Sequence, residues 1–505
     1  MAMVVQHNMQ AMNSNRVLGG TTAAQAKATE KLSSGFRINR AADDAAGLTI
    51  SEKMRKQIRG LGRASKNAQD GISAVQTAEG ALTEVHSMLH RMEELSTQAA
   101  NGTNSKKDRD AIQSEISQLT TEIDRVSETT MFNETYLLKG DHTKPEKQKY
   151  LSAHDAGLEG TLVDNGDGTA TFTMNKLSVG DQVKIGGKDY TIGGTVDDVK
   201  KAVNKALTNK DAAYTTPTPG DVLTVNGVKY TYYKAGKNAA GAQTKDGFYT
   251  LSPTATQETA GREVGAMFVE GSDITANGKT FHILDDKEDQ AKGIKPDGID
   301  NNNTSIISAN EAYMLAEKEL KAANSIGDTE SHDAVGYMDG NKLAPHELAK
   351  PTTDPNKFTI NVALTKVPET LSFNLHVGAD ADMSNKIGIS IDAMNSNFLG
   401  IKGLNVSDDS GMAATYAIDA IGDALSRVSA QRSSLGAIQN RLEHTISNLD
   451  NITENTTAAE SRIRDTDMAA EMVEYSKNNI LKQAGTSMLA QANQSTQSVM
   501  TLLQG

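Results

Sequence analysis

The chain has 505 residues, and its 51 basic and 64 acidic side chains give a net charge of −13. This length allows several domains, and a mildly acidic chain is a poor match for nucleic acid as the main partner. The chain contains no cysteine, which excludes disulfides, zinc–thiolate sites and thiol catalysis. It has no tryptophan and only 4% aromatic residues, so we expect aliphatic cores.

Proline separates a middle segment from two ends. All nine prolines lie between Pro145 and Pro368. The proline-free ends favour helices, whereas the middle has turn and strand patterns. The sequence therefore predicts a mainly α fold, in which both chain ends form a long, coiled-coil-like helical bundle around a β-rich (α+β) central insertion.

The chain begins with a predicted helix, Met3 to Lys31, which has a weak apolar stripe. We expect the glycines at 19–20 to interrupt it. The polar stretch from Leu32 to Gly47 predicts a linker, in which Asp43 or Asp44 can cap the helix that follows. Residues 1–16 lack the charged and apolar regions of a secretory signal peptide, so we expect a cytoplasmic protein or one exported by another route.

Three further helices have apolar residues at mostly three-, four- or seven-residue spacing, as in coiled coils. The first has Met54, Ile58, Leu61, Ala68, Ile72, Val75, Leu82, Val85, Leu89, Met92, Leu95 and Ala99. After a turn at 101–105, the second has Ile112, Ile116, Leu119, Ile123 and Val126. The third has Ile418, Ile421, Leu425, Val428, Leu435, Ile438, Leu442, Ile446 and Leu449. Such stripes predict a bundle in which the two ends meet.

The last stretch, Ala458 to Gly505, carries an apolar stripe that needs partner helices. From Gln483 onward no side chain is charged, yet polar residues fill the gaps, so this is not a membrane span. We expect assembly with other helices through apolar residues near both ends of the chain: Leu32, Phe36, Ile480, Leu481, Met488, Leu489, Val499, Leu502 and Leu503.

The middle contains a repeated pattern. Residues 180–192, 220–232 and 271–283 each alternate around Gly-Gly or Asn-Gly, which predicts three β-hairpins. Helical patterns at 196–207 and 309–323 suggest hairpin-plus-helix units in two subdomains. Beyond the insertion, the alternation of Leu371, Phe373 and Leu375, and of Ile387, Ile389 and Ile391, predicts another hairpin.

Several ordered motifs at both ends resemble those of bacterial flagellins. They are Leu32-Ser-Ser-Gly-Phe-Arg-Ile-Asn39, Asp43-Asp44-Ala-Ala-Gly47, Asn67-Ala-Gln-Asp-Gly-Ile-Ser73, Glu79-Gly-Ala-Leu82, Glu122-Ile-Asp-Arg-Val126, Phe132-Asn133 and Arg462-Ile-Arg-Asp-Thr-Asp-Met-Ala-Ala-Glu471. The stretch from Asp380 to Met394 resembles that family's hairpin beside the bundle. The resemblance covers roughly residues 1–142 and 370–505.

The resemblance implies an extracellular, self-polymerising subunit of the flagellar filament, used for motility and exported unfolded by a type III route. An export chaperone and cap or junction proteins are its implied partners, without nucleic acid or membrane insertion. The implied domains are a D0 helix and linker at 1–45, a D1 helical segment at 46–142, a variable surface region at 143–369, a D1 hairpin and helix at 370–459, and a D0 helix at 460–505.

The segment from His90 to Gln98 resembles the D1 surface that Toll-like receptor 5 recognises in some flagellins. The resemblance assigns receptor contacts to Arg91, Leu95, Gln98 and Glu115, and Leu119 stands where strongly recognised members carry arginine. From spacing alone, these residues form a solvated ridge with ordinary intrahelical pairs, and Leu95 also lies at core spacing from Met92.

Enzyme-like motifs in the insertion are incomplete. His346-Glu347-Leu-Ala-Lys350 begins like a zinc-protease motif, but a lysine replaces the second histidine. Asp164–Gly168 and Asp297–Asn301 lack the spacing of calcium loops and are typical of turns. We expect no catalytic, cofactor or metal site and no enzyme. The alternatives are a hook–filament junction protein and a flagellin with an enzymatic insertion.

Overall fold

The computed structural model describes residues 8–208, 217–234, 246–249, 263–286, 297–330, 335–339, 342–347, 354–408 and 411–504, without the side chains of 249, 264, 338, 339, 342, 496 and 499–504. These described residues form nine α-helices: α1 (Met9–Ser34), α2 (Ala45–Ala100), α3 (Lys106–Thr129), α4 (Val196–Thr208), α5 (Val264–Met267), α6 (Ala309–Asn324), α7 (Ser396–Leu399), α8 (Met412–Arg464) and α9 (Met468–Gln504). None of the helices in these ranges is both long and apolar enough to span a membrane.

The strands in the described ranges are β1 (Met131–Phe132), β2 (Thr135–Tyr136), β3 (Lys147–Tyr150), β4 (Gly160–Asp164), β5 (Thr169–Met174), β6 (Gln182–Ile185), β7 (Lys188–Gly193), β8 (Val222–Val225), β9 (Val228–Tyr233), β10 (Gly247–Tyr249), β11 (Asp273–Ala276), β12 (Lys279–His282), β13 (Ile306–Ser308), β14 (Val335–Asp339), β15 (Lys342–Ala344), β16 (Lys357–Asn361), β17 (Leu364–Val367), β18 (Leu371–His376) and β19 (Lys386–Ile391). They form two five-stranded sheets, ordered β10-β9-β8-β11-β12 and β15-β14-β16-β5-β4. A three-stranded sheet has the order β13-β7-β6, and the other strands form two-stranded pairs.

The chain divides into two compact units. The first comprises Met1–Gln76, Ser372–Ile389 and Ser434–Gly505, and the second comprises Thr77–Leu371 and Ser390–Ser433. Each unit therefore takes segments from both halves of the chain, as the predicted meeting of the two ends requires. The long helices α2 and α8 each contribute residues to both units.

In the first unit, the hairpin β18–β19 packs beside α2 and α8. Ala68, Val377, Ile387 and Leu442 form a buried cluster there. The fit is close, because a Cβ atom at Gly71 would lie only 2.0 Å from Leu375 Cδ1. Glycine at this position therefore lets the strand lie against the helix, and the predicted hairpin is confirmed.

In the second unit, most of the predicted heptad residues of α2, α3 and α8 are buried. The fully buried ones include Leu82, Val85, Leu89, Met92, Ile116, Ile123, Ile421 and Val428, and the partly buried ones are Leu119, Val126, Ile418 and Leu425. Helix α3 begins with a capping box, in which the Ser105 and Asp108 side chains bond to each other's backbone N–H. The short turn before it is held by buried Arg109, whose Nε donates to the carbonyl of Ala99 at 2.8 Å. These contacts fold α3 back along α2.

The insertion contains all three predicted hairpins, as β6–β7, β8–β9 and β11–β12. The predicted helices are α4 and α6. One hydrophobic cluster packs α4 against β8, β9, β11 and β12. A second packs α6 against β5 and β16 and also includes Tyr416 of α8. The insertion therefore shares one of its cores with the helical segment that follows it.

The insertion is entered and left through neighbouring strands. β3 pairs antiparallel with β17, with Lys147 opposite Val367 and Tyr150 opposite Leu364. Just outside this pair, the Asp141 N–H donates to the carbonyl of Glu369 at 2.7 Å. The chain therefore returns to the point at which it departed.

Two predictions about the N-terminal segment need correction. Helix α1 continues through the glycines at 19–20, although interior glycine costs about 1 kcal/mol each in helix propensity. Packing against α9 supplies the support that local propensity lacks. The stretch predicted as a linker, Leu32 to Gly47, is also partly helical, because α1 ends at Ser34 and α2 begins at Ala45. Between these helices, the backbone bonds to Arg464 and Thr466 at the end of α8 and just after it.

Candidate functional site

The two terminal helices expose many large apolar side chains. On α1 these are Met9, Met12 and Val17, and on α9 they are Met468, Met472, Val473, Ile480, Leu481 and Met488. Ile480 and Leu481 follow Val473 by seven and eight residues, and Met488 follows Leu481 by seven, so these four side chains share one face of α9. This exposed face, formed by those four residues, is called the apolar face below.

A different face of α9 contacts α1, and it is lined by small and polar residues. Glu471, Asn478, Gly485 and Ala492 recur every seven residues, as in a heptad seam. Lys31 Nζ lies 3.3 Å from Glu471 Oε2, and a Cβ atom on Gly485 would lie 3.4 Å from Leu18 Cδ1. The two helices therefore pair within the chain without using the apolar face.

The segments that join these helices to the long helices bond to each other. Arg37 N–H donates to the carbonyl of Arg464 at 2.7 Å, and Thr466 N–H donates to Gly35 at 3.0 Å. The guanidinium carbon of Arg464 lies 4.8 Å from the centre of the Phe36 ring. Gly35 has a φ of 77° and ends α1 in the left-handed conformation that glycine adopts without strain.

Two aspartates determine where α2 begins. Asp44 is the cap, since its Oδ1 accepts the N–H of Gly47 at 2.8 Å. The neighbouring Asp43 accepts the N–H of Arg40 at 3.0 Å, and its other oxygen lies 3.0 Å from Lys27 Nζ. The Lys27 hydrogen bond, together with the backbone donors, lowers the pKa of Asp43 to about 2.

The residues predicted for assembly fall into three groups. Ile480, Leu481 and Met488 are exposed. Leu32, Phe36 and Leu489 are partly buried, and Phe36 contacts Arg464 within the chain. The side chains of Val499, Leu502 and Leu503 lie outside the described residues, although the backbone there continues α9.

The predicted receptor surface contains an ion pair between two helices. Arg91 Nε of α2 donates to Glu115 Oε1 of α3 at 2.9 Å, and its NH1 lies 3.2 Å from Glu94 Oε2. The hydrogen bond to Glu115 raises the pKa of Arg91 above its ordinary value. The side chains of Arg91 and Glu115 are 50% and 45% exposed, so an outside partner can reach both.

The other two residues assigned to this surface differ from each other. Gln98 is exposed. Leu95 is only 2% exposed and lies on the buried stripe with Met92. The structure therefore gives Leu95 the core position that its spacing from Met92 left open, so in the folded monomer the accessible part of the surface consists of Arg91, Gln98 and Glu115.

His346, the first residue of the enzyme-like motif, is buried beside aromatic side chains. His346 Nδ1 lies 2.7 Å from Glu317 Oε2, and Nε2 lies 2.9 Å from the carbonyl of Pro355. The ring also packs against Phe358, with ring centres 4.9 Å apart. Both ring nitrogens already face protein oxygens, which leaves neither free for a metal. The lysine that replaces the second histidine, Lys350, lies outside the described residues.

The calcium-like segments have the hydrogen bonds of turns. Asp164 Oδ1 accepts the N–H of Gly166 at 2.8 Å, and Asp297 Oδ1 accepts the N–H of Ile299 at 3.0 Å. Across the described ranges, no group of three or more histidines and carboxylates is arranged to hold a metal ion.

Two histidine arrangements in the structure were not predicted from the sequence. His282 lies between Asp273 at 2.6 Å and Asp300 at 3.0 Å. Burial opposes ionisation of Asp300, but the N–H of Asp285 and the His282 ring lower its pKa overall. On α2, His86 and His90 place their Nε2 atoms 3.1 Å apart. Their four-residue spacing was a visible signal, whereas nothing local connects His282 with Asp300.

The paired terminal helices, the long helices and the β-rich insertion are the architecture of a structural protein. A family model described as the bacterial flagellin N-terminal helical region matches residues 5–143, and its C-terminal counterpart matches residues 418–503. The flagellin of Clostridium tyrobutyricum is 36% identical over 500 residues, which cover 98% of this chain and 100% of that protein. The chain belongs to the bacterial flagellin family.

Other relatives extend over equally long matches. The flagellin of Salmonella choleraesuis is 33% identical over 531 residues, and flagellin D of Vibrio anguillarum is 32% identical over 504 residues; both matches cover 100% of both chains. The solved structure of FliC from Burkholderia pseudomallei is 17% identical and covers 74% of this chain and 99% of that chain, with a TM-score of 0.25. Since that score is low, the full-length sequence matches establish the family.

Proposed function

We propose that this flagellin polymerises into the flagellar filament through the apolar face of α9 and the exposed methionines and valine of α1. The observation that supports this proposal is the division of α9 into two faces. The face lined by small and polar residues already contacts α1. On the apolar face, Val473, Ile480, Leu481 and Met488 expose large apolar side chains to water. A second copy of the chain is the partner that the family relationship favours.

The energetics suit a repeating polymer better than an isolated dimer. Complete burial of four such side chains contributes at most roughly 6–12 kcal/mol, at about 1.5–3 kcal/mol each. Association of two molecules costs roughly 4–15 kcal/mol in lost translational and rotational freedom. One contact is therefore marginal, and growth becomes favourable when an added subunit contacts several neighbours at once.

The test compares two double variants on α9. Ile480→Ser with Met488→Ser removes two large side chains from the apolar face, whereas Gln483→Ser with Gln494→Ser changes two exposed polar residues beside that face and keeps its apolar side chains. We expect only the first variant to stop seeded polymerisation, measured by light scattering and electron microscopy. Equal helix content by circular dichroism controls for folding. Normal filaments from the first variant would contradict the proposal.

The same proposal places the assembled protein outside the cell, as part of a flagellum that serves motility. Its further partners would be an export chaperone and the cap and junction proteins. The matches that cover whole flagellin chains favour a filament subunit over a hook–filament junction protein. Copurification of the unassembled chain with those partners, and motility of a strain that expresses it as its only flagellin, would test these assignments.

We infer a second role for the surface formed by Arg91, Gln98 and Glu115, namely recognition by Toll-like receptor 5. The exposed ion pair between α2 and α3 supports it, because a positioned guanidinium is common among interface hot spots. Arg91→Ala should weaken binding of the monomer to the receptor ectodomain. Arg125→Ala is the matched control, since Arg125 is also exposed and pairs with Glu122 on the same bundle.

We also propose that the insertion is not an enzyme. The contacts of His346 with Glu317 and Pro355 support this, because a metalloprotease histidine must give a nitrogen to the metal. A peptidase assay on purified filaments, with and without chelator, tests it. Activity that the chelator abolishes would instead support the enzymatic alternative.

A further inference from the structure

A pair of histidines on α2 has no role in either surface described above, although His90 is the first residue of the segment that resembles the receptor surface. His86 and His90 are one helical turn apart, where side chains four residues apart are neighbours on the same face. Their Nε2 atoms are 3.1 Å apart, and their rings are nearly perpendicular, with centres 4.5 Å apart. One Nε2–H therefore donates to the other Nε2 at a single point beside the helix, and a metal ion bound there would replace that proton.

The separation of the two nitrogens suits a metal ion. With metal–nitrogen bonds of about 2.0–2.1 Å, two ligands lie about 2.9 Å apart at a right angle and about 3.3 Å apart in a tetrahedral site. The observed 3.1 Å falls between these values. Small ring rotations would therefore bring both nitrogens into either geometry.

A nearby carboxylate orients one of the rings. Glu93 Oε2 lies 3.3 Å from Nδ1 of His90. A proton held on Nδ1 leaves the lone pair on Nε2, and a carboxylate behind a histidine is the usual outer partner of a metal ligand. On His86, Nδ1 has no hydrogen-bond partner in the part of the chain that the structure describes. Nδ1 of His86 is therefore not engaged elsewhere and can take the proton that metal binding displaces from Nε2.

The surroundings allow an ion to enter. The His90 side chain is 55% exposed, and Glu93 is 42% exposed, so solvent can supply the remaining ligands. The positive charge of Arg432 acts on His86, but Glu79 lies 3.8 Å from Arg432 and offsets it. Arg91, the next residue after His90, is already paired with Glu94 and Glu115.

We propose that His86 and His90 chelate a divalent ion of the late first transition row, such as Ni²⁺, Cu²⁺ or Zn²⁺, with Glu93 as the outer partner. Imidazole ligands favour these ions over Mg²⁺ and Ca²⁺, which prefer oxygen. Two protein ligands define an open site that is completed by water. In a polymer the site would recur on every subunit.

The experiment titrates the untagged, unassembled full chain with Zn²⁺ and with Ni²⁺ by calorimetry. His86→Gln and His90→Gln each remove a ligand and should weaken binding by at least about tenfold, because loss of an outer-shell partner alone already has an effect of about that size. Glu93→Gln keeps both ligands and should weaken binding less than either histidine variant does. His444→Gln is the control, because His444 is a single exposed histidine on α8, and it should bind like the wild type.

Nitrogen NMR of labelled histidine provides a second measurement that does not depend on affinity. Addition of Zn²⁺ should shift the ring signals of His86 and His90 together and leave that of His444 unchanged. Equal Zn²⁺ affinity in the wild type and His86→Gln, or equal loss in His444→Gln, would overturn the proposal. Circular dichroism of each variant shows whether α2 remains folded, and Glu93→Gln still tests the site if a histidine variant is unstable.

Discussion

Arg91 and Leu95 lie one turn apart on α2, yet the structure predicts different consequences for their removal. Leu95 is 2% exposed, so Leu95→Ala leaves a cavity and should reduce the free energy of unfolding by about 2–5 kcal/mol. Arg91→Ala breaks exposed ion pairs with Glu94 and Glu115. Exposed pairs of that kind contribute little to stability, because solvent screens them and two long side chains lose freedom.

Urea unfolding followed by circular dichroism measures this difference. Leu95→Met serves as the control that preserves volume, and it should cost less than about 1.5 kcal/mol. We expect the order of stability to be wild type, Arg91→Ala, Leu95→Met and then Leu95→Ala, with the first two close together. If Leu95→Ala were as stable as Arg91→Ala, the core assignment of Leu95 would be refuted.

For binding to the receptor, removal of Arg91 should have a larger effect than substitution of Leu95. If Arg91 is a binding hot spot, its removal should cost at least about 2 kcal/mol, which is about 30-fold in affinity at 1.4 kcal/mol per tenfold. Leu95→Met should bind nearly as well as the wild type. Unchanged affinity of a folded Arg91→Ala monomer would refute the inferred receptor surface without affecting the argument about the core.

Three further predictions concern the ends, the insertion and pH. Deletion of Gln483–Gly505 should leave the bundle folded but stop polymerisation. Circular dichroism and microscopy of seeded samples check this, and long filaments from the truncated chain would contradict it. Replacement of residues 145–368 by a short Gly/Ser linker should preserve filaments. It should also lower the thermal stability, because it exposes Tyr416, which packs against the insertion. Failure of a folded bundle to assemble would show that the insertion contacts neighbouring subunits. The pKa of Asp43 is about 2 in the folded chain and 3.8 in its ordinary state. Its contribution to stability is therefore present above about pH 4 and is lost as the pH falls towards 2. If an Asp43→Asn variant lost the same stability over that pH range, this assignment would be refuted.

The sequence predicted most of the helical architecture because its signals are local. Leu82, Leu89 and Met92 recur at heptad spacing and are buried, and the Asn-Gly pairs at 226–227 and 277–278 occupy the predicted hairpin turns. Such patterns depend only on the period of the backbone. The same reasoning identified α4 and α6 inside the insertion.

The remaining features depend on contacts between distant segments. The pairing of β5 with β16 joins Phe172 to Phe358, and no local pattern specifies that register. The continuation of α1 through its glycines depends on α9. For the candidate surfaces, spacing showed that Ile480 and Met488 share a stripe but not that α1 contacts a different face. Burial likewise resolved the two interpretations of Leu95.

Because β3 pairs with β17, the length of the chain between these strands can change without moving the segments that flank them. Since the chain enters at Lys147 and leaves at Val367, directly opposite, residues can be gained or lost beyond these strands without changing the distance between the flanking segments. Natural variation can therefore alter the intervening surface while selection on the helical ends remains separate. By the same reasoning, a foreign domain whose own termini are close together could be carried at this position.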